Sequence, residues 1–268
     1  MKSYAVISGK GGVGKTTFSA NLGISLARFG YRVLLFDADL SLANLDIVLG
    51  ARPEYNLQHV LNDEKTIGEI MVHAPGGVSA ISGGSAVGNL MASGPKRIAK
   101  FLDQLSRLES MFDILIFDTG AGLDNKVMSF ARAAHEILLV TTPEPTAITD
   151  AYATAKVTWK KAPEACVRLV VNTVTDAYEG VCVHKKLATI SQSFLARDLI
   201  YAGCIREDAA VTQAIRHRKP LMLDCPSSMA ALDIEEIAQK LMREGKPYLA
   251  TSFSEALGSD LAEYHEAS

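Results

Sequence analysis

The run Gly9-Lys10-Gly11-Gly12-Val13-Gly14-Lys15-Thr16 matches G-x-x-x-x-G-K-[ST], a spacing made for phosphate. The glycines let successive backbone N–H groups turn inward on phosphate oxygens, and the positive end of a following helix faces the same anion. In that arrangement Lys15 reaches the β- and γ-phosphates of a nucleotide, the Thr16 hydroxyl ligates Mg²⁺, and Thr17 hydrogen-bonds the α-phosphate. Two acidic strand ends complete the chemistry. Ile114-Leu115-Ile116-Phe117-Asp118 is an apolar run ending in an acid, the usual form of the residue that holds Mg²⁺ through water beside such a loop. Leu34-Leu35-Phe36-Asp37-Ala38-Asp39 ends likewise, and strand alternation turns Asp37 and Asp39 to one side. One of the two can support the loop or the metal while the other orients an attacking water. Helix capping or a turn carboxylate is the alternative use of each acid.

These side chains meet only if a parallel sheet brings its carboxyl edge to them, because ligands of open α/β sheets gather there. Short β-branched runs do alternate with helix-length amphipathic segments, which predicts a doubly wound, mostly parallel sheet of the P-loop NTPase type. The predicted strands are Tyr4–Ser8, Arg32–Asp37, Val78–Ser82, Asp113–Asp118, Glu136–Thr142, Val167–Asn172 and Leu199–Ile205. A helix begins near Lys15. Pro95–Leu108 reads as a second helix, with Pro at its start and Ile98, Phe101, Leu102, Leu105 and Leu108 inward. Val183, Leu187, Ile190 and Phe194 recur at helical spacing and are expected to face a core. Gly83 to Gly88 reads as a loop, either mobile beside the site or a plain surface connection.

Composition excludes several other classes. The chain has 268 residues, 48% of them hydrophobic and 21% charged, which rules out disorder, collagen and coiled coil. Lys plus Arg number 27 against 30 Asp plus Glu, so a net charge of −3 supplies no global field for nucleic acid or anionic lipid. No apolar run reaches membrane-spanning length, and the chain is expected to be cytoplasmic. Cys166, Cys182, Cys204 and Cys225 form no C-x-x-C, and the six histidines show no metal spacing, so reduced thiols and no all-protein metal site are expected.

Lys10 is a second lysine inside the phosphate loop. With Gly9-Lys10-Gly11-Gly12-Val13-Gly14-Lys15-Thr16-Thr17, the sequence resembles the deviant Walker A group, the MinD/ParA family of dimerising ATPases. The resemblance runs from the loop through Asp37-Ala38-Asp39-Leu40-Ser41-Leu42-Ala43-Asn44-Leu45-Asp46 to Gly203-Cys204-Ile205-Arg206-Glu207-Asp208. It implies ATP and Mg²⁺ as ligands and an ATP-dependent homodimer. Lys10 would then reach across a nucleotide sandwich to the partner subunit's phosphates, Asp39 would position the hydrolytic water and serve the metal site, and Asp118 would hold the metal. By the same resemblance Asn172 reads adenine, and the backbone of Arg206, Glu207 and Asp208 lines the other side of the base. The family commonly has proline where Arg206 stands.

Asp118-Thr119-Gly120-Ala121-Gly122 and Thr142-Pro143-Glu144-Pro145-Thr146-Ala147-Ile148-Thr149-Asp150-Ala151-Tyr152 look like the FlhG/FleN branch, which regulates flagellar number and placement. MinD usually has a Ser-Pro pair where Thr119-Gly120 stands. That likeness implies a flagellar regulator or motor switch protein as partner. FlhG proteins often carry an N-terminal extension that activates a partner GTPase; here the chain starts three residues before its first predicted strand, and that activity is not expected. The reading is a P-loop domain over residues 1–246 and an acidic amphipathic tail over 247–268. In the tail Leu249, Phe253, Leu257, Leu261 and Tyr264 form a stripe, but Glu255, Asp260, Glu263 and Glu266 stand where a lipid-binding helix would carry cations. Docking on its own body or a partner is therefore preferred to membrane binding at the periphery or pole. Arg216, Arg218 and Lys219, and Lys156, Lys160 and Lys161, read as solvated surface and not as a nucleic-acid site. The alternatives are a MinD-like division-site or ParA-like partitioning ATPase and, from another class, an ATP-dependent amide-forming enzyme of the same fold; an iron–sulfur carrier is disfavoured by the unpaired cysteines.

Overall fold

The computed structural model describes residues 1–39, 44–83, 86–91, 94–122, 125–244 and 252–266. Its strands are β1 (Lys2–Ile7), β2 (Val33–Ala38), β3 (Val72–Ala74), β4 (Val78–Ser82), β5 (Ile114–Thr119), β6 (Glu136–Thr141), β7 (Cys166–Val174) and β8 (Ile200–Arg206). The helices between them are α1 (Lys15–Arg28), α2 (Leu45–Leu49), α3 (Leu57–Leu61), α4 (Ala86–Met91), α5 (Pro95–Glu109), α6 (Asn125–Ala133), α7 (Pro145–Lys161) and α8 (Ala177–Leu195). They continue with α9 (Ala209–His217), α10 (Leu221–Asp224), α11 (Met229–Arg243) and α12 (Phe253–Glu266).

The strands form one eight-stranded sheet in the order β3-β4-β2-β5-β1-β6-β7-β8, parallel except for β3 against β4. Each expected strand is present, Val78–Ser82 with the expected ends and the others with an end shifted by a residue or two. β3, only three residues long, escapes the periodicity that marks the others. Central strands such as β1, β2, β5 and β6 are buried along their whole length, as strands covered by helices on both faces must be.

Alternation divides the core. Tyr4, Val6, Leu35, Ile116 and Val170 face a cluster with residues of α1 and α11. Phe36, Leu115 and Phe117 face α5, α6 and α12, while Ala5, Ile7, Leu139 and Val171 face residues of α7 and α8. Helix α5 buries Ile98, Phe101, Leu105 and Leu108 and starts with Pro at its first turn, as its pattern predicts. Helix α8 departs from expectation. Its buried positions are Gly180, Val183, Leu187 and Ser191, whereas Phe194, in the last turn before the left-handed cap Ala196, is 76% exposed. The Gly83 to Gly88 stretch is not wholly loop, because Ala86 to Gly88 open α4; Gly84 and Ser85 lie outside the described residues.

The amphipathic tail segment packs on its own body. Phe253, Leu257 and Leu261 of α12 are buried, and the Phe253 ring stacks on Phe117 with centroids 4.4 Å apart. Arg132 of α6 pairs with Asp260, and the Ser254 backbone N–H donates to Glu109 of α5 at 2.7 Å. Leu249, and the side chain of Tyr264, fall outside the described residues. At the opposite, amino-terminal edge of the sheet, Glu136 is held by Arg168 at 2.5 Å and by Lys2 at 3.2 Å, a buried ion network across β1, β6 and β7. Among the described residues no helix is long and apolar enough to cross a membrane.

Phe253→Ala removes the stacked ring and leaves a void against Phe117; we expect a loss of about 3 kcal/mol of stability in urea unfolding, toward the low end for a buried Phe. A loss under about 1 kcal/mol would show that α12 is not held by this contact.

Candidate functional site

The site forms where β1 ends between β5 and β6, so that helices leave the sheet on both faces and a crevice opens at the carboxyl edge. The phosphate loop makes the turn from β1 to α1. Gly14, the residue before α1, has φ +91°, a left-handed conformation, and a side chain on it would strike Asn172 Nδ2 at 2.3 Å. Lys15 is buried and its ammonium donates to Ser8 Oγ at 2.9 Å, while Ser8 Oγ donates to the Lys10 carbonyl at 2.7 Å. Burial lowers the Lys15 pKa, and the charges of Asp118 and Asp39 oppose that shift.

The parallel register of β2 and β5 sets Asp37 directly beside Asp118. Both are buried. Burial pushes Asp37 up to about 7, helped by the charge of Asp118 and opposed by backbone N–H donors from Asp39 and Leu45. Burial likewise pushes Asp118 up to about 6, against hydrogen bonds from Thr16 and Ser19 and the charge of Lys15. Ser19 Oγ donates to Asp118 Oδ1 at 2.9 Å.

The two acids after β2 have separate places. Asp37 Oδ1 accepts the Asp39 N–H at 3.0 Å, and its Oδ2 accepts the N–H groups of Asn44 and Leu45, each at 3.1 Å. Asp37 thereby pins both ends of the loop that follows β2, whose residues 40–43 lie outside those described. Asp39 lies against Gly120: a side-chain carbon on Gly120 would meet Asp39 Oδ1 at 3.2 Å. The segment after Asp118 is tied to the phosphate loop, since the Gly122 N–H donates to the Ser8 carbonyl at 3.0 Å.

Lys10 is paired within its own chain. Its ammonium lies 2.5 Å from Glu144 Oε2 and donates to Thr146 Oγ1 at 3.3 Å, at the start of α7. Sequence reading missed Glu144, Thr146, Ser8 and Ser19 as members of the site, though Glu144 and Thr146 stand inside the quoted segment from Thr142 to Tyr152. Asn172, near the end of β7, donates from Nδ2 to the Val13 carbonyl at 2.8 Å. Asn172, Arg206, Glu207 and Asp208 line one open cleft of about 1090 Å³ with Thr173, Thr175 and the start of α9. Lys10, Gly14, Lys15, Asp37, Asp39, Asp118, Asn172 and the Arg206 to Asp208 segment thus lie at the carboxyl edge of the sheet.

The donor set suits a magnesium nucleotide. Two adjacent buried carboxyls with raised pKa values, a threonine hydroxyl on one of them and a buried lysine form a corner whose excess negative charge a divalent cation would offset.

Comparison with known proteins gives the family. Residues 1–242 match the ParA family described as NUBPL iron-transfer P-loop NTPase. The chain belongs to the ParA/MinD family of P-loop NTPases. It is 37% identical over 237 residues to the antiactivator FleN of Pseudomonas aeruginosa, covering 88% of this chain and 85% of that protein. It is also 37% identical over 243 residues to the flagellum site-determining protein YlxH of Helicobacter pylori, covering 90% of this chain and 82% of that one. Among solved structures, the cell division ATPase MinD of Pyrococcus furiosus superposes with a TM-score of 0.74 at 27% identity, covering 90% of this chain and 98% of that chain. The septum site-determining protein MinD of Pyrococcus horikoshii, complexed with Mg-ADP, gives 0.73 at 25% identity over 92% and 99%.

The raised carboxyl pKa values carry a sign. The folded chain holds protons on Asp37 and Asp118 more tightly than the unfolded chain, so their contribution to stability is full at low pH and is lost as pH rises through about 6 to about 7. His135, whose ring burial lowers its pKa, acts in the opposite sense below its ordinary range. We therefore expect the nucleotide-free protein to melt at a lower temperature at about pH 8 than at about pH 6, and Asp37→Asn, which removes the carboxyl raised to about 7, to flatten the difference; a flat profile for the unsubstituted protein would show that Asp37 does not titrate in this range.

Proposed function

We propose that this protein is an ATP-dependent dimerisation switch that regulates flagellar number or placement, with slow ATP hydrolysis as its timer. Its likeness to FleN and to the Helicobacter flagellum site-determining protein over nearly nine-tenths of the chain supports the flagellar assignment. The observation that carries the switch is the position of Lys10: a cation on the rim of the phosphate loop, held by an exposed carboxylate of its own chain.

The residues divide the work as follows. The N–H groups of Gly9 to Thr17 cradle the phosphates, and Lys15 neutralises the β- and γ-oxygens. Thr16 and Asp118, with Asp39 nearby, would hold Mg²⁺, which when bound offsets phosphate charge. Asp39 orients the water that attacks the γ-phosphorus; the bond to the β–γ bridging oxygen breaks, ADP leaves, and the proton of the water passes to phosphate and solvent. Lys10 leaves Glu144 and reaches the phosphates of the partner subunit, where it adds positive charge as the transition state develops. Asn172 and the Arg206 to Asp208 segment hold the base.

Exchange of Lys10 between Glu144 and phosphate also sets the monomer–dimer balance. An exposed pair of this kind contributes little, so release is inexpensive and responsive to nucleotide. A flagellar regulator or motor switch protein is the expected partner of the dimer. The apolar stripe of α12 is used against α5 and α6, which argues for a cytoplasmic protein; any contact with membrane would require that helix to leave its groove.

Light scattering should show Asp39→Ala as a dimer with Mg-ATP and a monomer with Mg-ADP, and Lys10→Ala as a monomer with both. Glu144→Gln should shift the ATP dimer to severalfold lower protein concentration, in keeping with the worth of an exposed ion pair. Monomers under every condition would remove the switch and favour a metabolic enzyme. In a deletion strain we expect altered flagellar number or position; normal flagella with minicells or plasmid loss would transfer the protein to division-site placement or partitioning.

A further inference from the structure

Two side chains on the rim of the base cleft have the chemistry that guanine requires. A guanidinium fork matches the O6 and N7 acceptors of guanine, and a carboxylate matches its N1–H and amino donors. Arg206 and Asp208 both line the cleft. Both are turned to other work. Arg206 Nε donates to Asp233 Oδ2 at 2.9 Å and Oδ1 at 3.2 Å, its Nη2 donates to Oδ1 at 2.5 Å, and its backbone N–H donates to Oδ2 at 2.9 Å. Asp208 accepts the Ala210 N–H on one oxygen at 2.9 Å and the Ala230 N–H on the other at 3.2 Å, joining the first turns of α9 and α11.

We propose that Asp233 is a specificity-determining residue, which holds the Arg206 guanidinium against α11 and so withdraws from the cleft the donor fork that would bind guanine. The pairing is bidentate and sits at the foot of a well-packed helix, with the Asp233 side chain only 10% exposed, so the fork is not free to sample the cleft. On the other side of the cleft, Asn172 spends its Nδ2 on Val13, leaving its oxygen as an acceptor suited to the exocyclic amino group of adenine. This chain carries the arginine together with the carboxylate that restrains it.

The inference rests on reading the cleft as the base site, and the test separates the two. Fluorescent ADP and GDP analogues with Mg²⁺ would be titrated into the unsubstituted protein, Asp233→Asn and Asp233→Asn/Arg206→Ala; diphosphates keep dimerisation out of the measurement. Asparagine retains an oxygen for the Arg206 backbone N–H while losing the charge that holds the fork. The unsubstituted protein should prefer ADP. Asp233→Asn should shrink that preference about tenfold or more, the worth of one bidentate contact to guanine, chiefly through tighter GDP binding, and the double substitution should restore it. If Asp233→Asn does not fold, Asp233→Ser carries the same expectation. Equal weakening of both nucleotides, or an unchanged ratio, would overturn the role of Asp233 and leave the base site standing. Failure of the unsubstituted protein to bind either analogue would overturn the base site itself.

Discussion

The constraint on which the site depends is the placement of two carboxyls side by side in a dry corner. Parallel pairing of β2 and β5 puts Asp37 opposite Asp118, and full coverage of the sheet denies both of them water. Alone, each would be costly to ionise. The surrounding structure is arranged to share that charge: Asp37 is met by three backbone N–H groups, and Asp118 by Ser19, Thr16 and the nearby ammonium of Lys15. The remaining imbalance is what the proposed cation would offset, with the phosphate loop beside it as the proposed anion site.

From that corner two segments lead outward. The loop after β2 is anchored by Asp37, and the segment after β5 is anchored to Ser8 through Gly122, with Asp39 resting against Gly120 between them. Both segments thus lie against the phosphate loop or each other, the arrangement the proposed nucleotide-sensing switch needs. The proposed role of Lys10 belongs to the same logic on the outer rim. Its partner Glu144 is 62% exposed, so the attraction is screened and costs little to break.

Much of this was legible in the sequence because it is local. The phosphate loop, the acids closing two apolar strands and the stripe of α5 are encoded within a few residues, where backbone geometry and period suffice. What was not legible depends on long-range pairing. Glu144 meets Lys10 across 134 positions, Asp233 meets Arg206 across 27, and the Lys2, Glu136 and Arg168 network joins three strands. None of these pairs has a spacing rule. Asp37 and Asp39 share one strand end, so alternation alone assigned both to the same face; only the capping of Asn44 and Leu45 shows which one holds the loop. Phe194 illustrates the reverse failure, since its helical spacing is right but it falls in the last turn, beyond the buried part of α8.

The central claim is that one subunit's Lys10 completes the other subunit's site while Asp39 serves its own. Mixing Lys10→Ala and Asp39→Ala subunits in equal amounts tests it directly. In the mixed dimer the site on the Lys10→Ala subunit keeps its own Asp39 and receives Lys10 from its partner. Each mixed dimer has one complete site out of two, so ATP turnover should rise from near zero for either variant alone to a clearly measurable rate, at most about half of the unsubstituted rate per mixed dimer. A mixture no more active than its parts would contradict action in trans.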